Sequence, residues 1–251
     1  MADWSEYLAE FHAERPGITE QVLRRCIAGH HPYRWLARAV SSSAVTVLDI
    51  GCGSGALERE LRREGRTVVG IDISTAEVER ARQSGEGPLA LADGRALPFR
   101  DESFDCVVTA LGLAVIQPTA TLLDEIARVL RPGGVLVGLV PTVRPLSVAD
   151  LRVAGRLTRL LQTTPQFPVQ IELTVGQLLA EHGLRKAEDA RERYRFAVRS
   201  REDAELLTSS FYLPHTRPER VAAAVDWMAA RAAAEGQLDV PVPMRRVVAI
   251  K

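Results

Sequence analysis

The segment Val47–Leu57, VLDIGCGSGAL, constrains this chain more than any other stretch. An apolar run carries an acid, Asp49, then three glycines fall on alternate positions, and a helical pattern begins. That order reads as strand, tight turn and helix, the unit from which α/β sheets are built. Glycine is needed where the backbone takes positive φ or where a ligand must lie against it without a Cβ in the way. Gly51, Gly53 and Gly55 together point to a loop that receives a nucleotide-like ligand.

The glycines alone fit two ligands. Gly51, Gly53 and Ala56 satisfy a dinucleotide fingerprint, and Asp72 follows about 20 residues later, where a ribose-binding acid belongs. Asp49 separates the readings, because a carboxylate just before the first glycine repels a pyrophosphate but suits a ligand with an ammonium or sulfonium charge. S-adenosyl-L-methionine carries both charges.

From here the chain resembles the class I S-adenosylmethionine-dependent methyltransferases. The resemblance covers roughly Thr46 to Val140 and continues in order through VVGIDIS, LALADGRALPF, SFDCVVTALGL and IARVLRPGGVLVGLVP. It implies S-adenosyl-L-methionine as cofactor, with S-adenosyl-L-homocysteine as product. It places Asp72 on the ribose hydroxyls, Asp93 near the adenine amino group, the glycine loop with Asp49 under the methionine part, and the segment around Leu111 at the methyl-transfer site.

The residue types suit those roles. A short charged acceptor at a strand end, Asp72, holds a vicinal diol well, and Ile73 offers an apolar surface to an adenine face. Asp93 follows an apolar run and so emerges at the open end of the sheet, where ligands of open α/β folds bind. The plainer reading of both acids is as helix caps or turn residues. Asp105, at the start of its strand, reads as structural. The segment Ala110–Ile116 is wholly apolar, which predicts a pocket for a hydrophobic acceptor and no general base from that wall.

A chain of 251 residues, with 32 basic and 32 acidic side chains, is compatible with one α/β domain carrying insertions. Balanced charge gives no general attraction for nucleic acid or an anionic membrane. Cys26, Cys52 and Cys106 lack metal or redox spacing and read as free thiols, and no histidine–carboxylate cluster predicts a metal. The N-terminus has acids where a signal peptide has bases, and the most apolar stretch, Gly133–Pro141, is far short of the roughly 20 residues that cross a bilayer. The expectation is a cytoplasmic protein.

The pattern along the chain predicts helices at Trp4–His12, Ile18–Ala28 and Tyr33–Val40 as a cap over residues 1–45, then alternating strands and helices over 46–140, then lid insertions and C-terminal strands over 141–251. The fold class expected is a Rossmann-like doubly wound sheet of seven strands, mostly parallel with a reversed last strand and helices on both faces, in a single domain. Tyr33 is the cap residue most suited to meet the cofactor; His30 and His31 read as a polar turn. Arg152, Arg156 and Arg159 form a solvated helix face.

Methyl transfer from a sulfonium loses charge rather than creating it, so the protein mainly aligns the partners and excludes water. If the acceptor is a hydroxyl or amine, a base helps; His215, in FYLPH, is the candidate, with Tyr212 as a positioning hydroxyl. The partner expected is a small-molecule acceptor with an apolar body. The alternatives are ribosomal RNA as acceptor, disfavoured by the neutral charge, and a non-catalytic binding protein of the same fold.

Overall fold

A computed structural model describes residues 4–168 and 171–251, so the first three residues of the N-terminal segment discussed above lie outside the described residues. The chain opens with α1 (Trp4–Glu14), α2 (Ile18–Arg25), the two-residue strand β1 (Cys26–Ile27) and α3 (Pro32–Ala37). His31 caps α3 by accepting from the Arg34 N–H, and Pro32 stands at the first helical position, where its missing N–H costs nothing. The core follows as β2 (Thr46–Ile50), α4 (Ala56–Leu61), β3 (Thr67–Asp72), α5 (Thr75–Gln83), β4 (Leu89–Leu91), β5 (Phe104–Ala110), α6 (Gly112–Val115), α7 (Thr119–Val129) and β6 (Leu130–Pro141). The remainder is α8 (Val148–Leu161), α9 (Ile171–Glu181), β7 (Arg185–Val198), α10 (Arg201–Ser209), α11 (Pro218–Glu235) and β8 (Leu238–Ile250).

One sheet runs through all of these segments, in the order β1-β7-β8-β6-β5-β2-β3-β4. β2 to β6 pair in parallel, and β8 runs antiparallel to both β6 and β7, which is the reversed last strand. The sheet has eight strands where seven were expected. The segment predicted as one helix to Ala28 leaves helical geometry after Arg25, and Cys26 and Ile27 pair with Phe196 and Arg195. The fourteen-residue β7 is longer than expected and would otherwise present an open edge, which β1 partly covers.

The strand sequences explain the layering. In β2, Val47, Leu48, Asp49 and Ile50 are all buried, as in a strand covered on both faces. Val47 packs into one apolar cluster with Val108, Val137, Leu139, Tyr194 and Met228, while Leu48 and Ile50 join Val107, Leu122, Ile126 and Leu136 in another. Adjacent residues thus feed opposite faces of the sheet. A third cluster of Phe11, Ile18 and Tyr212, joined by Trp4, Tyr7 and Leu8, docks α1 across the C-terminal ends of the central strands. Trp4 Nε1 donates to the Val115 carbonyl at 3.0 Å, and Tyr7 Oη accepts from the Leu213 N–H at 2.9 Å.

Asp105 is structural, as its position suggested: it accepts from the backbone N–H groups of Val45 and Thr46, and these bonds with Arg131 hold its carboxyl down at about 2 against the opposing effect of burial. The α8 arginines Arg152, Arg156 and Arg159 are exposed.

Candidate functional site

The glycine loop leaves β2 by folding back onto β3. The N–H groups of Gly51 and Cys52 both donate to the Ile71 carbonyl at 2.9 Å, and the Gly53 N–H donates to Asp72 Oδ2 at 2.9 Å. Gly51, Gly53 and Gly55 sit at φ +71°, +53° and +83°, a region that L side chains rarely occupy. Their surroundings differ. A Cβ on Gly51 would meet nothing within 4 Å, one on Gly53 would lie 3.8 Å from Glu77 Oε2, and one on Gly55 would be 2.6 Å from Glu86 Cγ. Gly51 therefore faces open space, whereas Gly55 serves close packing.

That open space is a cavity at the C-terminal ends of β2, β3 and β5, roofed by α1 and the start of α2. Of the residues singled out in the sequence, Tyr33, Asp49, Gly51, Gly53, Asp72, Ile73, Asp93, Leu111 and Tyr212 line it. Gly55 and His215 do not. His215 is exposed in the turn after Tyr212, at φ +62°, so the chain carries its imidazole away from the cavity wall that Tyr212 occupies. His30 bonds the Tyr194 hydroxyl at 3.0 Å, and with His31 capping α3 both histidines are accounted for structurally.

Asp49 is 1% exposed, and if both acids were ionised neither its carboxylate oxygens nor those of the nearby Glu58 would have a donor among the described residues, so the two carboxyls are partnered by a proton held between them. Burial pushes both carboxyls up, Glu58 to about 7, and the Glu58 charge adds to the shift of Asp49. Such a pair retains a proton near neutrality. Burial and these same acids push the Cys52 thiol far up, which makes it an inert neighbour.

Asp72 is oriented by two backbone donors, Ser74 N–H to Oδ1 and Gly53 N–H to Oδ2, both at 2.9 Å. Burial pushes its carboxyl up while those donors pull it down. Each oxygen keeps acceptor capacity for a hydroxyl. Asp93 is engaged differently: Arg95 Nε lies 3.0 Å from both of its oxygens, Nη2 lies 2.6 Å from Oδ2, and Arg95 holds the carboxyl below its ordinary range. Arg95 also donates to the Gln117 carbonyl at 2.8 Å, fastening the strand-end acid to the loop after α6. The sequence D-G-R held that signal two residues from the acid.

Leu111 is a non-glycine residue at φ +71°, which starts α6 immediately after β5. Leu111 borders the first cavity and also a second one of about 900 Å³. Val22, Leu23, Ala114, Leu157, Phe211 and Met244 line this second space, and Arg144 is its one charged lining residue among the described residues. Thr19, Leu111 and Tyr212 line both.

The sequence reading missed a chain of three side chains at this junction. His12 of α1 lies with Nε2 3.1 Å from Tyr212 Oη and Nδ1 3.1 Å from Glu77 Oε1. Glu77 of α5 is anchored in turn by the Gly17 N–H, which donates to both its oxygens at 3.0 and 2.9 Å. Positions 12, 77 and 212 share no local motif, so nothing short of the fold groups them.

Residues 48–138 match a family model described as a methyltransferase domain. The chain is 41% identical over 88 residues to a demethylmenaquinone methyltransferase of Corynebacterium kroppenstedtii, covering 35% of this chain and 38% of that protein. It is 31% identical over 140 residues to a 2-methyl-6-phytyl-1,4-hydroquinone methyltransferase of Synechocystis, covering 53% and 44%. The matches thus span less than half the length of either relative. Among solved structures, a Haemonchus contortus phosphoethanolamine N-methyltransferase in complex with S-adenosylhomocysteine superposes with TM-score 0.60 at 19% identity, covering all of this chain and 60% of that one. This last similarity concerns the fold.

Proposed function

We propose, from the methyltransferase-domain match at residues 48–138 and the geometry of the two cavities, that the chain is a class I S-adenosylmethionine-dependent methyltransferase that binds S-adenosyl-L-methionine in the first cavity and methylates a small, largely apolar acceptor held in the second. Asp49 carries this reading. A buried carboxyl that shares a proton with a second buried acid, Glu58, and lines a cavity beside a glycine whose missing Cβ leaves open space can exchange that proton's charge for a ligand's cation. The ligand's ammonium and sulfonium supply that charge, and a dinucleotide pyrophosphate does not.

On this reading Gly51 and Gly53 pass under the methionine part, Asp72 takes the ribose hydroxyls, Ile73 offers its exposed face to the adenine, and Asp93 with its Arg95 partner borders the ring. Tyr33, kept neutral by burial and by the charge of Glu20, closes the wall from α3. When bound, the cofactor supplies a methyl group on a sulfonium sulfur for in-line displacement. The protein's part is to align the two ligands across Leu111 and Tyr212 and to exclude water, which the α1 roof and the apolar α6 segment do. The second cavity suits a neutral body of drug-like or longer size. With Arg144 as its one charged lining residue among the described residues, it offers little to a phosphate backbone, so RNA is not the acceptor we favour.

The test is calorimetry followed by turnover. The protein should bind S-adenosyl-L-methionine and S-adenosyl-L-homocysteine, leave NAD unbound, and pass labelled methyl to an alkyl-substituted 1,4-hydroquinone or a related apolar hydroxyl compound. Tight NAD binding with no affinity for S-adenosyl-L-homocysteine would overturn the reading.

A further inference from the structure

Three titratable side chains from three separate elements converge at the wall between the two cavities, and the alignment of ligands alone gives them nothing to do. His12 and Glu77 line the cofactor cavity, and Tyr212 lines both. Glu77 Oε1 to His12 Nδ1 and His12 Nε2 to Tyr212 Oη are each 3.1 Å, so both imidazole nitrogens are committed and the chain is continuous. We propose that Glu77, His12 and Tyr212 form a proton relay that accepts the proton of a hydroxyl on an apolar acceptor. This rests on the methyl-transfer reading above and extends it to the class of acceptor group.

The directions of the hydrogen bonds follow from chemistry. Glu77 is held as an acceptor, because the Gly17 N–H donates to both its oxygens. Neutral His12 therefore carries its proton on Nδ1, donated to Glu77, and presents Nε2 as an acceptor. Tyr212 must then donate to Nε2, and the lone pairs of its oxygen are left for other donors. Thr19 supplies one such bond, and Thr19 and Tyr212 both line the second cavity. Burial pushes the Tyr212 hydroxyl well above its ordinary value, so it rests as a neutral group that can take a proton only while passing its own on.

The step balances without a further reactant. As the acceptor oxygen forms its bond to the methyl carbon and the methyl–sulfur bond breaks, the electron pair remaining on sulfur, the acceptor's proton passes to Tyr212 Oη. The tyrosine's original proton passes to His12 Nε2. The imidazolium so formed is paired with the Glu77 carboxylate, whose side chain is only 3% exposed, so its charge is little screened. The His12 side chain is 23% exposed and can return the proton to solvent. Around it stand Phe11 on its own helix, Glu77 on α5 and Tyr212 after α10, with Asp72 contributing a further negative charge.

The relay is read first without turnover, by nitrogen NMR of histidine-labelled protein with S-adenosyl-L-homocysteine bound, the His12 signals being assigned with His12→Gln. The relay requires His12 neutral, protonated at Nδ1, with an Nε2 resonance that moves when Tyr212→Phe removes the donor. A proton on Nε2, or an Nε2 resonance indifferent to Tyr212→Phe, overturns it. The second reading is labelled-methyl transfer to an alkyl-substituted 1,4-hydroquinone. His12→Gln and Tyr212→Phe should each lower kcat by about 100-fold or more while changing S-adenosyl-L-homocysteine affinity less than threefold. Unchanged kcat in both refutes the relay. A loss that appears only in cofactor affinity assigns the three residues to fastening α1, which equally refutes it. If the unmodified protein transfers no methyl to this probe, the choice of acceptor fails, and the NMR result still decides the proton arrangement.

Discussion

Replacing Glu58 with Gln tests the electrostatics under the glycine loop. Glu58 and Asp49 are 5% and 1% exposed, and each is the other's carboxyl partner, with no basic group to pair either of them among the described residues. Folding raises the Glu58 carboxyl from 4.5 to about 7, chiefly through burial. The folded chain thus holds a proton that the unfolded chain has released. Stability from this group is fully present below about pH 4.5 and is lost as the pH rises through about 7. The difference of roughly 2.5 units corresponds to about 3 kcal/mol at 1.36 kcal/mol per unit. Gln keeps the shape, cannot ionise, and can donate its amide to Asp49. Carboxyls held below their ordinary range, such as Asp105, act in the opposite sense but are common to both proteins and cancel in the comparison, whereas Asp49, raised in part by Glu58, is relieved in the variant and acts in the same sense as Glu58. Thermal unfolding of the two proteins without ligand should therefore differ least at pH 4 and diverge as pH rises. By pH 8 the variant should unfold roughly 6–12 °C higher, for about 3 kcal/mol in a chain of this size. A gap that stays flat from pH 4 to 8, or a variant less stable at pH 8, would refute the assignment of a strained acid pair.

Gly51→Ala should place a methyl group in the cofactor cavity, because no protein atom lies within 4 Å of the added Cβ, while the positive φ costs about 1–2 kcal/mol of stability; calorimetry should show affinity for S-adenosyl-L-homocysteine lost in a folded protein. Asp72→Ala should weaken that affinity by about 1–3 kcal/mol, the scale of a hydrogen bond to a charged group, and an unchanged Kd would remove Asp72 from the site. His215→Ala should leave both Kd and turnover within twofold of the unmodified protein, since the residue is exposed and lines neither cavity; a large fall in kcat would return it to the role of base.

The parts of this protein legible in its sequence are those encoded within a few consecutive residues. The glycine loop is one, because positive φ is a local requirement that only glycine meets readily. The strand-and-helix alternation through Val140 is another, because burial on one or both faces of a strand writes itself into adjacent side chains. Asp72 belongs to the same class: a short acid at the end of an apolar strand has one place to be in an open α/β sheet, and the structure puts it there, between the Ser74 and Gly53 N–H groups.

What only tertiary structure decided are pairings between distant residues. Cys26 and Ile27 are no stronger a strand signal than the helix before them, and become β1 because the long β7 offers its edge. Gly55 looked equivalent to Gly51, yet the approach of Glu86 makes its missing Cβ a matter of packing. Tyr212 and His215 stand three positions apart with similar chemistry, and the turn between them buries one and exposes the other. His12, Glu77 and Tyr212 form their continuous hydrogen-bonded chain only because α1 crosses the ends of the strands. Local sequence determines which backbone conformations a segment can hold, but the partner of a side chain depends on which segments are packed against it, and that is a property of the whole folded chain.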